Sequence, residues 1–369
     1  MRIGFVIYGS LDQPTGGYLY NHKVIEYLQA QGDRIELISL PWRNTAAHLS
    51  DNLSFRLLRR LSNLQIDLLI EDELNHPSLF GINWFLRRKV PYPLVSIVHH
   101  LRSSEADLGW AKSLYLLIER FFLKSLHGIV CNSQTTERTV KALLGSENEN
   151  DIPTLIAYPG KDHLAGGVDE AEIERRAGDE RCLRLIFLGS LIPRKGAHWL
   201  LAALQRMDDF PFQLDLVGDA HRQPVYARRL QDMVNQSTLQ NNVRFWGNVD
   251  RETLQRLLRE AHVLVVPSSY EGFGIAYLDG MRYGLAVIGA RQGGAAELIS
   301  EGVEGYLVDP GDITALVNRL QQLHDDRKRL AEMGIAARRR FEGHPTWAQS
   351  AAQIRQFFLA LLERMKTPE

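Results

Sequence analysis

The segment SSYEGFGIAYLDGMRYG, residues 268–284, carries two carboxylates on either side of a glycine-rich turn. Asp279 follows Glu271 by eight positions. At about 100° per residue along a helix, Asp279 would lie on roughly the same face as Ile275. The two acids could be solvated charges or two contacts to one ligand, and an exposed helix acid is the simpler interpretation of Asp279 taken alone.

The residues between the two acids suit an anion. Gly272 and Gly274 let the backbone approach a ligand closely, and the amides of Phe273, Gly274 and Ile275 would form the N-terminus of a helix. Because an anion repels a carboxylate, we expect Glu271 to bind hydroxyl groups, as a sugar offers, rather than a phosphate.

A second charged motif, LGSLIPRKGAHWLL at residues 188–201, places Arg194, Lys195 and Gly196 between a short apolar strand and a helix. Cations beside a helix N-terminus suit a diphosphate, because the helix supplies free N–H groups and the side chains supply charge. The alternative is a solvated basic turn. The position after the first strand of a domain favours the diphosphate.

The first half of the chain carries weaker signals. Gly16 and Gly17, in QPTGGYLYNHKV, open a helix where an acceptor or a phosphate could meet the backbone, but they do not form a G-x-G-x-x-G fingerprint. His99 and His100 end a strand in VSIVHHLRSSE. Adjacent strand residues point to opposite faces, so we expect at most one imidazole, favouring His99, to reach a ligand. The sequence contains no cluster of Cys, His and carboxylate residues at the spacing of metal ligands, so we do not expect a metal site.

Short apolar runs alternate with amphipathic ones, which predicts parallel sheets covered by helices on both faces. A polar stretch at residues 165–182 interrupts the alternation. We therefore predict two Rossmann-like doubly wound α/β domains, residues 1–165 and 183–345, and a C-terminal helix at about 346–369 that packs back on the first domain. Ligands of such sheets bind beyond the carboxyl ends of the strands, so two facing sheets would form an interdomain cleft.

Composition narrows the class of protein. The 369 residues carry a formal net charge of -1, which argues against a nucleic-acid-binding protein. The two cysteines, Cys131 and Cys182, lie apart in apolar runs, so we expect neither a disulfide framework nor a zinc site. The N-terminus lacks the features of a signal peptide, and no apolar run approaches the roughly 20 residues that span a bilayer. We expect a cytoplasmic protein that does not span a membrane.

Taken together, the motifs resemble those of the retaining glycosyltransferases of family 4, the glycosyl transferases group 1, which have the GT-B fold of two facing Rossmann-like domains. The resemblance covers nearly the whole chain. It rests on the order of Gly16–Gly17, His99, AYPGKD at 157–162, RKG at 194–196, YEGFGIAYLDGM at 270–281 and GGAAE at 293–297. The family signature of Glu, seven residues and Glu becomes Glu271, seven residues and Asp279.

The resemblance implies transfer of a sugar from a nucleotide-diphosphate sugar to an acceptor hydroxyl, with retention of the anomeric configuration. Glu271 would contact the sugar hydroxyls and Asp279 the ribose diol, while His99 would orient the sugar or the acceptor. No metal or other cofactor is implied.

The nucleotide contacts implied by the resemblance come from the second domain. Arg194 or Lys195 would neutralise the diphosphate, helped by the amides of Gly274 and Ile275. Main-chain groups of Asn248 or Val249, in FWGNV, would hold the base. An arginine of the family is Ser190 here, so either one diphosphate cation is missing or Arg194 beside Lys195 replaces it.

The acceptor is expected to bind mainly to the first domain and could be a glycan, a lipid or a small molecule. Basic residues alternate with apolar ones in SFRLLRRLSNLQ and WFLRRK; they are Arg56, Arg59, Arg60, Arg87, Arg88 and Lys89. Such stripes could give peripheral contact with anionic lipids at the inner face of the membrane. The alternative is that they are solvated helix faces.

Two other classes of protein stay open. A sugar-nucleotide epimerase of similar architecture would act without an acceptor. A nonenzymatic nucleotide-sugar binding protein would keep the diphosphate residues but would not need Glu271 or His99. The presence of both residues favours catalysis.

Overall fold

The computed structural model describes residues 1–13, 15–105, 109, 111–145, 152–179, 181–207 and 211–366. The chain divides into two compact units. Unit 1 comprises Met1–Gly160 and Pro345–Glu369, and unit 2 comprises Lys161–His344.

Unit 1 is built on a parallel sheet of six strands in the spatial order β2-β1-β3-β4-β5-β6. The strands are β1 Arg2–Tyr8, β2 Arg34–Leu40, β3 Leu68–Asp72, β4 Leu94–Val98, β5 Gly128–Cys131 and β6 Thr154–Ile156. The helices are α1 Gly16–Ala30, α2 Thr45–Ser50, α3 Phe55–Ser62, α4 His76–Lys89, α5 Ala111–Lys124, α6 Gln134–Leu144 and, at the end of the chain, α14 Trp347–Lys366.

The central strands of unit 1 are buried along their whole length because helices cover both faces of the sheet, whereas the edge strand β2 is largely exposed. Every residue of β3, β4 and β5 is buried. Helix α14 packs against α1. Arg355 of α14 donates from Nε to Asp33 Oδ2 at 2.7 Å, and the N-terminal amine donates to the same carboxylate at 2.6 Å. The last helix is therefore attached to the first strand and helix through Asp33.

Unit 2 is built on a second parallel sheet in the order β12-β11-β10-β7-β8-β9. The strands are β7 Leu183–Leu188, β8 Phe212–Val217, β9 Val243–Gly247, β10 Val263–Val265, β11 Ala286–Ala290 and β12 Gly305–Val308. The helices are α7 Glu170–Ala177, α8 Ala197–Leu204, α9 Pro224–Asn235, α10 Arg251–Glu260, α11 Ile275–Arg282, α12 Ile313–Asp325 and α13 Arg327–Glu342.

The polar stretch at residues 165–182 belongs to unit 2 and contains α7. Arg176 of this helix is buried and donates to the carbonyl oxygens of Arg259, Tyr283 and Gly284 at 2.8–2.9 Å. The charged residues that made this stretch look like a boundary therefore include one that ties α7 to the body of unit 2.

Each sheet has a point where the strand order reverses, and the prediction of two doubly wound parallel α/β sheets is confirmed. In unit 2 the reversal lies between β7 and β10, and in unit 1 between β1 and β3. Ligands of doubly wound sheets bind beyond the carboxyl ends of the strands at this reversal. A ligand is therefore expected at the loops that follow these four strands.

Among the described residues, none of the helices has an apolar stretch long enough to cross a bilayer.

Candidate active site

The reversal point of unit 2 brings the two charged motifs of the sequence together. Arg194 and Lys195 follow β7, and Glu271 follows β10. Lys195 Nζ donates to Glu271 Oε1 at 2.6 Å, and Arg194 Nη1 lies 3.9 Å from Glu271 Oε2. Arg194 Nη1 also donates to the carbonyl oxygen of Tyr270 at 2.7 Å. Lys195 and Glu271, which are 76 positions apart in the sequence, thus lie in one cluster with Arg194.

Glu271 is a buried carboxylate that stays ionised. It is 5% exposed. Burial by itself would raise the pKa of this carboxyl, but the charges of Lys195 and Arg194, with hydrogen bonds from Lys195 and Ser268, bring the pKa down to about 2. Burial also lowers the pKa of Lys195, and the charge of Glu271 opposes that change. The result is a fixed hydrogen-bond acceptor beside two cations, which suits a ligand that offers both hydroxyls and phosphates.

A glycine allows the loops after β7 and β10 to lie against each other. Gly196 has φ +75°, and a Cβ on it would stand 2.2 Å from the carbonyl oxygen of Pro267. Ser269 donates its backbone N–H to the carbonyl oxygen of Arg194 at 2.8 Å. The close approach of these two backbones sets the position of Lys195 relative to Glu271.

The predicted anion-binding turn precedes α11. Gly274 is the N-cap of this helix with φ +99°, and no side chain caps it. Phe273 is buried, and Gly294 donates its N–H to the carbonyl oxygen of Glu271 at 2.7 Å. The turn from Gly272 to Ile275 therefore starts from a strand-like contact at Glu271 and ends at a helix N-terminus, where backbone N–H groups favour an anion.

Asp279 is buried in α11, with 7% of its surface exposed. His163 Nε2 lies 2.9 Å from Asp279 Oδ1. Burial excludes the alternative of an exposed helix acid. Within the described part of the chain the two acids of the segment have different charged partners: Glu271 contacts Lys195 and Arg194, and Asp279 contacts His163. His163 was not predicted from the sequence, although it directly follows the AYPGKD motif.

The candidate base-binding segment follows β9. Asn248 is exposed and Val249 half-buried. The strand before them is fixed by Trp246, whose indole N–H donates to Asp215 Oδ1 at 2.6 Å and whose ring lies 5.5 Å from the guanidinium of Arg256. The backbone after β9 thus follows a well-anchored strand.

In unit 1 the two adjacent histidines have different partners. His99 Nε2 lies 3.2 Å from Asn21 Oδ1, whereas His100 Nε2 lies 2.9 Å from Glu105 Oε1. The loop glycine Gly17 packs on His99, since a Cβ on it would lie 3.0 Å from the Cδ2 atom of the imidazole. The structure therefore joins two of the motifs singled out in the sequence, the Gly16–Gly17 loop and His99.

His99 also faces two buried carboxyls that the sequence analysis did not select. Its Nε2 lies 3.7 Å from Asp72 Oδ2 and 4.0 Å from Glu73 Oε2, and Asn21 donates to Asp72. Burial lowers the pKa of His99 to about 3 and raises the pKa of Asp72 above its usual range. The imidazole is therefore neutral at pH 7. Because Asn21 Oδ1 can accept but not donate, the proton of the ring is on Nε2.

This group of side chains offers one potential metal ligand each from Asp72, Glu73 and His99, all within 4.8 Å of one another. A neutral imidazole and two carboxyls are ligands that divalent cations accept. The prediction of no bound metal rested on the lack of a spaced cluster of metal ligands in the sequence, whereas Asp72 and Glu73 lie at the end of β3 and His99 follows β4. That prediction stays untested.

Comparisons with known proteins identify the family. The family model described as Glycosyl transferases group 1 matches residues 169–340, and the model described as Glycosyltransferase Family 4 matches residues 16–150. The sequence is 27% identical to an MMP alpha-(1->4)-mannosyltransferase of Mycolicibacterium hassiacum over 81% of this chain and 72% of that protein. It is 25% identical to a glycogen synthase of Mycobacterium tuberculosis over 75% of this chain and 65% of that protein.

Solved structures show the same fold. A sucrose-phosphate synthase from Thermosynechococcus elongatus superposes with a TM-score of 0.82 at 20% identity, covering 98% of this chain and 99% of that one. Anabaena HepE in complex with UDP-glucose superposes with a TM-score of 0.75 at 19% identity, covering 98% of this chain and 100% of that one. The predicted GT-B fold class is confirmed. The chain belongs to the family 4 glycosyltransferases, with the group 1 match in its second half.

Proposed function

We propose that the protein transfers a sugar from a nucleotide-diphosphate sugar to an acceptor hydroxyl and retains the anomeric configuration. The observation that carries this proposal is the cluster of Arg194, Lys195 and Glu271 at the reversal point of the unit 2 sheet. In this cluster, one ionised carboxylate can accept hydrogen bonds from sugar hydroxyls, and two cations can bind the diphosphate. Family membership supports the same reaction type.

We expect the cations to contribute most of the stabilisation of the transition state. As the bond from the anomeric carbon to the diphosphate breaks, negative charge accumulates on the leaving group, and preorganised positive groups stabilise it. Lys195 and Arg194, with the backbone N–H groups at the start of α11, provide such groups without a metal or another cofactor. Asp279 is proposed to hold the ribose diol, and Asn248 or Val249 the base.

In unit 1 we propose that His99 orients the sugar or the acceptor. Its neutral imidazole is held by Asn21 through Nε2. The acceptor is a glycan, a lipid or a small molecule. We propose a cytoplasmic location with access to the inner face of the membrane, which agrees with Cys131 and Cys182 both being free.

The proposal is tested by incubating the protein with UDP-, GDP- and ADP-sugars, with and without glycan and lipid acceptors, and measuring nucleotide release. We expect release with one class of donor, much slower release in Glu271→Gln, and no effect of EDTA. Proton NMR of the product gives its anomeric configuration. Tight donor binding without release would show a binding protein, acceptor-independent conversion of the donor sugar would show an epimerase, and inversion would contradict the retaining mechanism.

A further inference from the structure

Exposed apolar side chains concentrate on one part of unit 1. Among the described residues, 13 large hydrophobic side chains are exposed, and seven of them lie between residues 53 and 121. These seven are Leu53, Phe55, Trp84, Phe85, Leu114, Leu117 and Phe121. Phe55 and Leu53 are 85% and 87% exposed, whereas large apolar residues are most often buried in the core. Contiguous exposed apolar patches are typical of contact surfaces, whereas single exposed apolar residues are ordinary.

The helices that carry these residues form a connected layer. Helix α4 packs against both α3 and α5, and the rings of Trp84 on α4 and Phe121 on α5 are 6.4 Å apart. Asn52, next to Leu53, donates to the carbonyl oxygen of Pro77 at 2.7 Å and accepts the N–H of Gly81 at 2.7 Å. The turn before α3 is thereby fixed on α4. We call the exposed side chains of residues 53–60, 84–89 and 112–121 the α3–α5 surface.

The same helices are strongly basic. Helices α3, α4 and α5 contain nine lysines and arginines and a single acid, Glu119, which is buried. The cations are Arg56, Arg59, Arg60, Arg87, Arg88, Lys89, Lys112, Arg120 and Lys124. The whole chain, by contrast, has 43 basic and 44 acidic residues. These three helices therefore carry a local excess of positive charge that the chain as a whole does not have.

Three of the cations border a shallow depression on α3. It has a volume of about 490 Å³ and is lined by Phe55, Arg56, Arg59, Arg60 and Asn63. Among the described residues, these three arginines have no carboxylate within ion-pair distance, and all three are exposed. An aromatic ring beside several unpaired guanidinium groups fits a phosphate that is attached to an apolar tail.

We infer that the α3–α5 surface docks on an anionic lipid bilayer. Its apolar side chains would enter the boundary between headgroups and acyl chains, while its arginines and lysines contact the lipid phosphates. A second copy of the chain is a poorer occupant, because two such surfaces would bring like charges together. Docking would bring unit 1 to lipid-linked acceptors, a consequence that rests on the proposed function, whereas the binding itself does not.

The test is co-sedimentation of the full-length protein with vesicles of phosphatidylcholine alone or mixed with phosphatidylserine. We expect binding to the mixed vesicles that weakens as salt is raised. Arg59→Glu with Arg60→Glu should reduce partitioning at least about tenfold, and Phe55→Ser should reduce it at low and high salt alike. The matched control is Arg228→Glu with Arg229→Glu, an adjacent exposed arginine pair on α9, which should bind like the wild type.

Several results would overturn the inference: no binding of the wild type to mixed vesicles at low salt, equal loss of binding in the control pair, or a stable dimer by sedimentation velocity that Phe55→Ser dissociates. Circular dichroism verifies that the variants are folded.

Nucleotide binding measured in solution separates this inference from the proposed function. Vesicle binding without nucleotide binding would contradict only the proposed function, and nucleotide binding without vesicle binding only the docking.

Discussion

At the scale of single residues, the most informative feature is the ion pair between the partly buried Lys195 and the buried Glu271. Each charge stabilises the other, because the Lys195 and Glu271 side chains are only 17% and 7% exposed and their charged atoms are 2.6 Å apart. Removing one partner from such a pair leaves an uncompensated charge in a poorly solvated place. The same carboxylate is our candidate for the sugar hydroxyls, so stability and activity are coupled at this position.

Glu271→Gln is therefore expected to lower the free energy of unfolding by about 3–5 kcal/mol and the rate of transfer about 10- to 100-fold. Lys195→Met should cost a similar amount of stability, and the double variant should cost less than the sum of the two. Urea unfolding and nucleotide-release rates measure these quantities. Glu170→Gln, which breaks the exposed pair with Arg339, is the control and should change stability by less than about 1 kcal/mol. Additive losses in the double variant would contradict the coupling.

Asp279 allows a second prediction, on donor binding. A charged hydrogen bond is worth roughly 1.5–3 kcal/mol, so Asp279→Ala should raise the donor KM about tenfold or more if this residue holds the ribose diol. Asp279→Glu, which restores the family residue, should keep KM within a few-fold of the wild-type value. Steady-state kinetics with varied donor distinguish the outcomes. A fall in kcat with an unchanged KM in Asp279→Ala would point instead to a role in catalysis, or to loss of the His163 contact.

At the scale of elements, strand β3 carries an acid in the core of the sheet, and this gives a pH-dependent prediction. Burial raises the pKa of Glu71 from 4.5 to about 8, although Asn83 Nδ2 donates to its Oε2 at 2.9 Å. The folded state thus holds a proton on Glu71 that the unfolded chain releases above about pH 4.5, so the stability contributed by this group is lost as pH rises towards 8.

Glu71→Gln removes this titration and keeps an oxygen for Asn83. The difference in unfolding free energy between variant and wild type should therefore grow in favour of the variant between pH 5 and 8, by up to about 1.4 kcal/mol per pH unit. Denaturant melts at several pH values measure it. The control is Glu36→Gln, at an exposed position of the neighbouring strand β2. Parallel pH profiles of wild type and Glu71→Gln would show that Glu71 is ionised in the fold.

The loop between β7 and α8 supports a prediction about backbone geometry. Gly196 and Gly302 have similar φ values of +75° and +78°. A Cβ at Gly196 would collide with the carbonyl oxygen of Pro267. A Cβ at Gly302 would have the end of the Arg329 side chain as its nearest atom, 3.5 Å away. Gly302→Ala should cost about 1–2 kcal/mol for the left-handed conformation. Gly196→Ala should cost more and should also weaken nucleotide binding, because the loop that carries Lys195 must move. Equal costs in thermal melts would contradict the role of this close approach.

Most of the elements were predictable from the sequence, whereas the contacts between them were not. Continuous apolar runs such as those of β3 and β4 predict buried parallel strands because both faces are covered. The position of Arg194 and Glu271 after strands could be inferred for the same reason. The partners Asn21, Asp72 and His163 could not, because each meets its counterpart through the order of strands or the packing of a loop, which local patterns do not encode. The helix α7 was missed because it lies in a polar stretch, in which Ile173 and Ala177 are buried beside the charged Arg176.

At the scale of the whole molecule, the two units divide the chemistry. The candidate donor residues, from Arg194 to Asp279, lie in unit 2 with their own sheet and reversal point, whereas His99 and the α3–α5 surface lie in unit 1. Unit 2 is a continuous stretch of chain, while unit 1 needs α14 from the C-terminus to cover α1. The donor half could therefore fold from one uninterrupted segment.

Residues 161–344 produced alone should therefore unfold cooperatively and bind UDP or GDP with a Kd within about tenfold of the full chain, a difference of about 1.4 kcal/mol. The physical reason is that the diphosphate cations, the start of α11 and Asp279 are all inside this segment. Calorimetric titration of both proteins measures the affinity, and Lys195→Met in each is the control that should weaken binding equally. If the segment folds but loses nucleotide binding that the full chain has, residues of unit 1 must contribute to the nucleotide site. If Lys195→Met has no effect in either protein, the nucleotide does not use the Lys195–Glu271 cluster.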